Sequence, residues 1–197
     1  MNSFEILFRY IEKKSSLSLK EDDKVRIQEK FKPKKLHKKQ YFLQEGDVCK
    51  YMGFIVSGAT RMFRVDQKGH EHVLKLAVEE FWTGDHESFK QLTPSPYYVE
   101  AVENVNMLMV SNAQLDHLIH TIPAIAAMMN VIYPEAVITI NKRILAAISL
   151  TAEERYDDLC KTNPEFLHRF PQGMIASYLG VSGETLSRLK KVYLKAQ

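Results

Sequence analysis

The spacing of apolar residues changes twice along the chain. Residues 4–13 place apolar side chains at helical intervals, whereas the segment from about 36 to 110 breaks into short apolar runs separated by turn residues. Beyond Ser111 the helical period returns. Short, regularly spaced strands with glycine turns indicate a β-roll or jelly-roll-like domain. The sequence therefore predicts an α+β chain in which the β-domain precedes an all-α part.

An apolar stripe runs through the helical segment that follows the strands. Its members follow steps of four and three residues: Ile125, Met129, Ile132, Ala136, Ile140, Ile144 and Ala147. Two copies of the chain can bury such stripes against each other as a coiled coil, or the stripe can pack only on its own β-domain. Pro134 interrupts the run and predicts a kink or the start of a new helix, because proline removes a backbone donor. We interpret residues 123–149 as a dimerisation helix.

The C-terminal segment has the pattern of two short helices around a tight turn. Ile175 gives the first helix a buried side, and Gly180 stands where the chain must reverse with a positive φ. Ser182 is placed to cap the second helix, in which Leu186 and Leu189 face inward. The polar residues left outside are Glu184, Ser187, Arg188 and Lys191. This pattern predicts a helix-turn-helix whose second helix enters a DNA major groove; the alternative is an ordinary helical hairpin with a solvated charged face.

Residues 184–188, Glu-Thr-Leu-Ser-Arg, resemble the E-x-x-S-R recognition-helix signature of the Crp/Fnr family. The glycines at 46, 58, 69 and 84 also fall where the cyclic-nucleotide-binding fold of that family turns. The resemblance implies a cyclic-nucleotide-binding-type β-roll with N-terminal helices over 1–122, a dimerisation helix over 123–149 and a helix-turn-helix domain over 150–197. It further implies a cytoplasmic, homodimeric transcription regulator that is not an enzyme. Its partners would be double-stranded DNA with a palindromic operator and RNA polymerase.

The resemblance implies DNA contacts for the exposed polar residues of the second helix. Arg188 is expected to donate to O6 and N7 of a guanine, and Glu184 to accept from a cytosine amino group, because their geometries match. Ser182, Thr185 and Gln172 are expected to hold phosphates. Gly183 stands where some members use a base-reading arginine, so operator preference can differ. The predicted DNA-binding set is Gln172, Ser182, Gly183, Glu184, Thr185, Ser187, Arg188 and Lys191.

In the family, a segment between two late strands holds the phosphate of a cyclic nucleotide. Here that segment keeps Gly84 and places Asp85 at the carboxylate, but Ser95 stands where the phosphate-neutralising arginine belongs. A phosphate enclosed near Glu87 without that arginine would be poorly compensated, so cyclic AMP is not expected. The residues assigned to the effector pocket are Gly84, Asp85, His86, Ser88, Phe89, Ser95, Tyr97 and Asn141. Either another small molecule occupies the cavity, or aromatic side chains such as Trp82 fill it.

Other sensor chemistries lack ligands in this sequence. Two cysteines, Cys49 and Cys160, cannot supply the four thiolates of an iron–sulfur cluster, and no residue stands out as a haem ligand. His70 and His72 share one face of a strand, as in a cupin-like metalloprotein, but no third ligand follows at a convincing spacing. We therefore predict no metal site. A dimeric small-molecule-binding β-roll without DNA function remains the main alternative to a regulator.

Composition and charge refine this interpretation. Hydrophobic residues make up 45% and charged residues 26% of the 197 positions, and no apolar run approaches the roughly 20 residues of a membrane span. The N-terminus lacks a secretory signal pattern, and widely separated cysteines fit a reducing cytoplasm. We expect no membrane partner.

The formal net charge of +3 is unevenly distributed. Residues 168–197 carry Arg169, Arg188, Lys190, Lys191 and Lys195 against Glu184 alone, which fits phosphate contacts. A second basic run at 30–39 is interpreted as solvated surface. The sequence stops at Gln197, before the β-hairpin wing usual in the family, so we expect the contacts of the wing to be missing or replaced.

Overall fold

The computed structural model describes residues 2–195, and the last two residues of the predicted 150–197 domain, Ala196 and Gln197, lie outside this range. The helices are α1 (Ser3–Ser15), α2 (Glu21–Lys30), α3 (His86–Gln91), α4 (Asn112–Thr121), α5 (Pro123–Ser149), α6 (Ala152–Thr162), α7 (Phe166–Arg169), α8 (Gln172–Leu179) and α9 (Gly183–Lys195). The strands are β1 (Lys32–Leu36), β2 (Tyr41–Leu43), β3 (Tyr51–Ser57), β4 (Thr60–Val65), β5 (Glu71–Ala77), β6 (Trp82–Thr83), β7 (Tyr98–Ala101) and β8 (Val105–Ser111).

The strands form two four-stranded antiparallel sheets, in the orders β1-β8-β3-β6 and β2-β7-β4-β5. Ile55 and Met107 of the first sheet share a buried cluster with Ala77 and Ala101 of the second. Phe54, on the other side of the first sheet, packs on Tyr10 of α1 with a ring separation of 5.0 Å. Alternation of inward apolar and outward polar residues builds such a two-layer structure. The predicted α+β class with an N-terminal β-roll is confirmed.

The connection between β3 and β4 requires a glycine. Gly58 has a φ of +95°, and a Cβ there would lie 2.3 Å from the carbonyl oxygen of Asn104 and 2.9 Å from the Cα of Val105. Its N–H donates to Oε1 of Glu79 at 2.8 Å. Both the left-handed backbone and the close approach of the β7–β8 turn exclude a side chain.

The first half of α5 belongs to the core of the roll, and the second half does not. Ile125 and Met129 of the predicted stripe are buried, whereas Ile140 and Ile144 are 55% and 53% exposed. The helix runs on through Pro134, so no new helix begins there. Proline removes only one backbone hydrogen bond, which a long and otherwise packed helix tolerates.

By length and apolar composition alone, α5 could cross a membrane, a test that core helices of water-soluble proteins also pass. Its middle carries Glu135, Lys142 and Arg143, and its first half packs on the roll. These charges and contacts favour a protein surface over lipid. The expectation of no membrane partner stays a prediction.

Helix α8 docks on the free edge of the second sheet. The backbone N–H of Val73 in β5 donates to Oγ of Ser177 at 2.9 Å, and that hydroxyl donates to the carbonyl oxygen of Glu71 at 2.9 Å. Because β5 ends its sheet, Ser177 satisfies backbone groups that no strand reaches. The C-terminal domain thereby closes the edge of the β-roll.

Arg143 joins α5, the roll and the C-terminal domain at one point. Its guanidinium donates to the carbonyl oxygen of Leu74 in β5 and, at 3.3 Å, to that of Tyr178 in α8. The same group lies 4.0 Å from the centre of the Tyr178 ring, a cation–π contact. Apolar residues extend the junction, because Val73 and Val102 of the roll share a buried cluster with Phe166 and Ile175 of the C-terminal domain.

A second polar contact between the domains centres on Arg169. Its guanidinium makes two hydrogen bonds to Glu79, of 2.5 and 3.0 Å, and two to Glu103, of 3.1 and 2.7 Å. The hydrogen bonds that Arg169 donates to Glu103 and Glu79 raise its pKa. Burial pushes the pKa of Glu79 upward, but hydrogen bonds from Arg169 and the backbone outweigh it, so that pKa is lowered. Arg169 is thus paired with carboxylates of the roll. The prediction that its positive charge contributes to a DNA-binding surface is wrong.

We expect Gly58→Ala to lower the free energy of unfolding by about 3 kcal/mol, because the new methyl group meets the backbone of the β7–β8 turn. Gly46→Ala is the matched control, since Gly46 also has a positive φ, of +87°, but nothing lies within 4 Å of its Cβ position. That control should lose only about 1 kcal/mol. Urea unfolding of both variants measures the difference, and equal losses would contradict the close approach.

We expect Arg169→Met to lower the free energy of unfolding by about 1–2 kcal/mol, because it leaves two half-exposed carboxylates without their bidentate partner. Lys24→Met is the control, since Lys24 pairs with Glu21 on the open surface of α2. That change should cost clearly less than Arg169→Met, because solvent screens the pair of Lys24 and Glu21. Thermal unfolding compares the two variants, and a loss for Arg169→Met no larger than the control would rule out a stabilising contact.

Candidate nucleic-acid interface

Helices α8 and α9 form the predicted helix-turn-helix. Gly180 ends α8 in the left-handed conformation, with a φ of +68°, and Val181 N–H donates back to Ala176 O at 2.9 Å. Oγ of Ser182 then accepts from the N–H of Thr185 at 3.1 Å and so caps α9. Leu186 and Leu189 are buried against Ile175 and Ala176 in one cluster. These are the side chains for which sequence spacing predicts an inward position.

The outward face of α9 is polar and open to solvent. Glu184 and Arg188 lie one turn apart and are both exposed, and no ion pair joins them among the described residues. Ser187 and Lys191 are exposed beside them, as are Gln172 at the start of α8 and Ser182 and Gly183 at the turn. Thr185 is half-buried, with its hydroxyl 2.9 Å from that of Ser182. The side chain of Lys195 lies outside the described residues.

The second basic run lies on the edge strand of the first sheet. Lys32, Lys34 and Lys35 of β1 are exposed, and β1 ends the order β1-β8-β3-β6. Lysines on an edge strand hinder pairing with a strand of another chain. This placement supports the interpretation of the run as solvated surface.

Three residues assigned to the effector pocket, Asp85, Ser88 and Ser95, are already engaged in hydrogen bonds. Asp85 is 4% exposed, and its carboxylate accepts from Ser95 Oγ at 2.8 Å and from Glu87 N–H at 3.0 Å. Ser88 Oγ accepts from Cys49 N–H at 2.8 Å and donates to the Thr93 carbonyl at 2.5 Å. These polar groups hold the loop and α3 together.

The remaining residues of the predicted pocket lie in three different surroundings. Phe89 is fully buried in the core, while the imidazole of His86 is exposed and lies edge-on to Tyr133 of α5 at 5.1 Å. Gly84, with a φ of +130°, takes no side chain, because a Cβ would lie 2.8 Å from Sδ of Met52. Asn141 is exposed on α5. Convergence of the whole set on one ligand stays a prediction.

Tyr97 lines a cleft of about 770 Å³ at the end of the β4–β5 hairpin, together with Arg64, Asp66, His72 and Leu74. Of these residues, the sequence pattern predicted only Tyr97 to line a pocket. Arg64 is exposed, and its side chain makes no hydrogen bond or ion pair within the described part of the chain. The volume is in the range of small-molecule sites.

Lys75 is a half-buried lysine of the roll that the sequence pattern did not single out. Lys75 lies on β5 opposite Met62, a residue that packs on the core, and its Nζ donates to the carbonyl oxygen of Trp82 at 2.7 Å. Burial lowers its pKa. In the sequence, Lys75 stands within the apolar run from Val73 to Ala77. The alternation of residues along a strand does not by itself decide whether such a lysine faces the core or the solvent.

The two histidines of the cupin-like alternative, His70 and His72, contact Asp66 of the β4–β5 turn. His72 Nε2 lies 3.0 Å and His70 Nδ1 3.3 Å from Oδ2 of Asp66, which begins the β4–β5 turn. The hydrogen bond with His72, followed by that from the backbone of His70, lowers the pKa of Asp66. Within the described residues, no group of three or more His, Cys, Asp or Glu side chains is arranged to hold a metal ion.

The chain is similar to known proteins both in sequence profile and in fold. Residues 33–121 match the sequence profile of the cyclic nucleotide-binding domain. No curated protein matches the sequence. FixK2 from Bradyrhizobium japonicum is 16% identical, with a TM-score of 0.69 over 84% of this chain and 86% of FixK2.

Two further solved structures are similar over most of their length. The c-di-GMP-responsive global regulator CLP of Xanthomonas campestris is 16% identical, with a TM-score of 0.69 over 90% of this chain and 93% of CLP. The catabolite activator protein of Thermus thermophilus is 18% identical, with a TM-score of 0.56 over 93% and 87%. At these identities the likeness is one of fold. Residues 33–121 thus match the cyclic nucleotide-binding domain, and the chain has the same fold as FixK2, CLP and the catabolite activator protein.

Proposed function

We propose that this protein is a homodimeric, sequence-specific DNA-binding transcription regulator of the Crp/Fnr type. The observation that carries the proposal is the outward face of α9, where Glu184 and Arg188 are exposed one turn apart on a capped helix. A helix entering the major groove reads base edges with residues of its first turns. The matching domain family and fold support the same role.

Direct reading of bases would use Arg188 and Glu184, and contacts with phosphates would use Gln172, Ser182 and Lys191. Arg188 presents a guanidinium that fits O6 and N7 of guanine, and Glu184 an acceptor for a cytosine amino group. Gln172 and Ser182 are exposed at the starts of α8 and α9, where phosphate oxygens would meet helix N-termini. Lys191 adds a positive charge one turn beyond Arg188.

The dimer would form through the exposed half of α5. Large apolar side chains there lack cover within the described chain: Val137 is 56% exposed, Ile144 53%, Leu145 63% and Ile148 79%. Burial of such surface against a second copy is favourable by about 25 cal/mol per Å². A symmetric dimer presents two α9 helices to successive major grooves about 34 Å apart, and hence binds a palindromic operator.

The effector is proposed to differ from cyclic AMP. Asp85, which would take the ribose hydroxyl, is already hydrogen-bonded to Ser95, the residue at the position of the phosphate-binding arginine. A ribose hydroxyl would therefore have to displace the hydroxyl of Ser95 from that carboxylate. We further propose that the protein is cytoplasmic, contacts RNA polymerase and has no catalytic activity of its own.

We expect Arg188→Ala to weaken binding to the preferred operator by about 1–3 kcal/mol and to relax one base position, because it removes a bidentate base contact. Lys191→Ala is the control: loss of a phosphate contact should weaken all sequences alike and reduce the salt dependence by about one charge. Sites are first selected from random duplexes, and affinities are then measured on cognate and scrambled DNA. Equal losses of Arg188→Ala on both would reject base reading.

We expect Ile144→Asp to raise the dissociation constant of the dimer more than about 100-fold, since each of two copies loses roughly 1.5–3 kcal/mol of apolar burial and gains a desolvated charge. Val25→Asp is the control, because Val25 is similarly exposed, at 52%, but lies on α2. Sedimentation equilibrium measures both variants. A dimer unaffected by Ile144→Asp would place the interface elsewhere.

A further inference from the structure

The exposed apolar face of α5 has a single asparagine at its centre. Successive residues of an α-helix are rotated by about 100°, so positions three, four and seven apart share a face. Counted in this way, the large apolar residues within about 60° of Asn141 are Val137, Ile138, Ile144, Leu145 and Ile148. Each of these is more than half exposed. An amide in the middle of such a face is the feature to explain.

Asn141 has no side-chain hydrogen-bond partner within the described residues of its own chain, and it is exposed. The contacts of α5 with its own chain lie on the opposite side, where Arg143 reaches Leu74 and Glu135 pairs with Lys14 at 2.6 Å. Thr139, also on that side, donates to the carbonyl of Glu135. The amide therefore faces away from the β-roll to which it belongs.

We propose that Asn141 pairs with the same residue of a second copy across the two-fold axis and so fixes the register of a parallel, two-stranded α5 dimer. The inference rests on the proposed function, because two α9 helices can face one side of a duplex only if the copies lie parallel. In a parallel, in-register pair, equivalent residues meet at the same level of the seam. An asparagine amide carries both a donor and an acceptor, so two of them satisfy each other.

Other registers are penalised by the same residue. Sliding one copy by seven residues keeps apolar side chains on the seam but sets Asn141 against Pro134 or Ile148. Neither of these side chains offers a hydrogen bond, and a buried amide without a partner is costly. A leucine at 141 would associate more tightly but would remove this penalty, since buried asparagines at seam positions trade stability for a unique register and oligomeric state.

The test uses the full-length chain with Ile148→Cys, which places a cysteine on the same face, and Cys160→Ser; Cys49 stays because it is buried. A parallel, in-register dimer brings the two cysteines at 148 within disulfide range, whereas an antiparallel pair does not. We expect one crosslinked dimer in high yield after mild oxidation. Adding Asn141→Leu should lower the dimer dissociation constant about tenfold but at least halve the crosslink yield or produce larger oligomers. Thr139→Ala, on the far side of α5, is the control and should change neither quantity.

A second substitution tests the pairing by charge. Asn141→Asp sets two carboxyl groups against each other, so the dimer should hold at pH 4 and weaken at least tenfold at pH 8, where both are ionised. Unchanged register and a single dimeric species in Asn141→Leu, with equal association of Asn141→Asp at both pH values, would overturn the pairing while leaving the dimer intact. A dimer that Ile144→Asp does not disturb would instead remove the α5 interface, and the register proposal with it.

Discussion

The structure depends on α5 having two faces with different partners. One face is held by its own chain, through buried Ile125 and Met129 in the first half and through Arg143 in the second. The other face is apolar, exposed and continuous across more than three turns. Exposed apolar surface of this extent marks a site of association. Folding of one copy therefore leaves a helix that is only half covered, and the proposed dimer would complete its burial.

The same helix sets the position of the C-terminal domain. Arg143 contacts both β5 and α8, and Ser177 of α8 satisfies the free edge of β5. Arg169 adds further contacts, because it donates to the carboxylates of Glu79 and Glu103 in two turns of the roll. None of these contacts uses the outward face of α9. The domain is thus fixed to the roll by one side, and the side with Glu184 and Arg188 stays open.

Features that depend on neighbouring residues could be predicted, and features that depend on distant ones could not. Gly180, Ser182 and Leu186 define the turn, cap and buried side of a helix pair by spacings of a few residues, so the sequence alone located them. Ser177 reaches β5 across 104 residues and Arg169 reaches Glu79 across 90. A count of charges along the sequence treats Arg169 as an unpaired surface charge, because it does not show that Glu79 lies beside it. Likewise, alignment to a family pattern gives the position of Asn141 but not the direction of its side chain, so its assignment to the effector pocket stays a prediction.

The departure of the effector segment from the family pattern makes physical sense as one linked change. A buried carboxylate needs donors, and at Asp85 the donors are the hydroxyl of Ser95 and the N–H of Glu87. With an arginine at 95, the carboxylate and the guanidinium would be separate charged groups available to a ligand. With serine there, the neutral donor closes onto Asp85 instead, and position 95 carries no charge to attract a phosphate. Two cations of the roll lie on other strands: Arg61 of β4, which is buried and pairs with Glu100, and Lys75 of β5, which donates to the carbonyl of Trp82. Any ligand of this roll must therefore be recognised by a different set of residues from the one that the family pattern supplies.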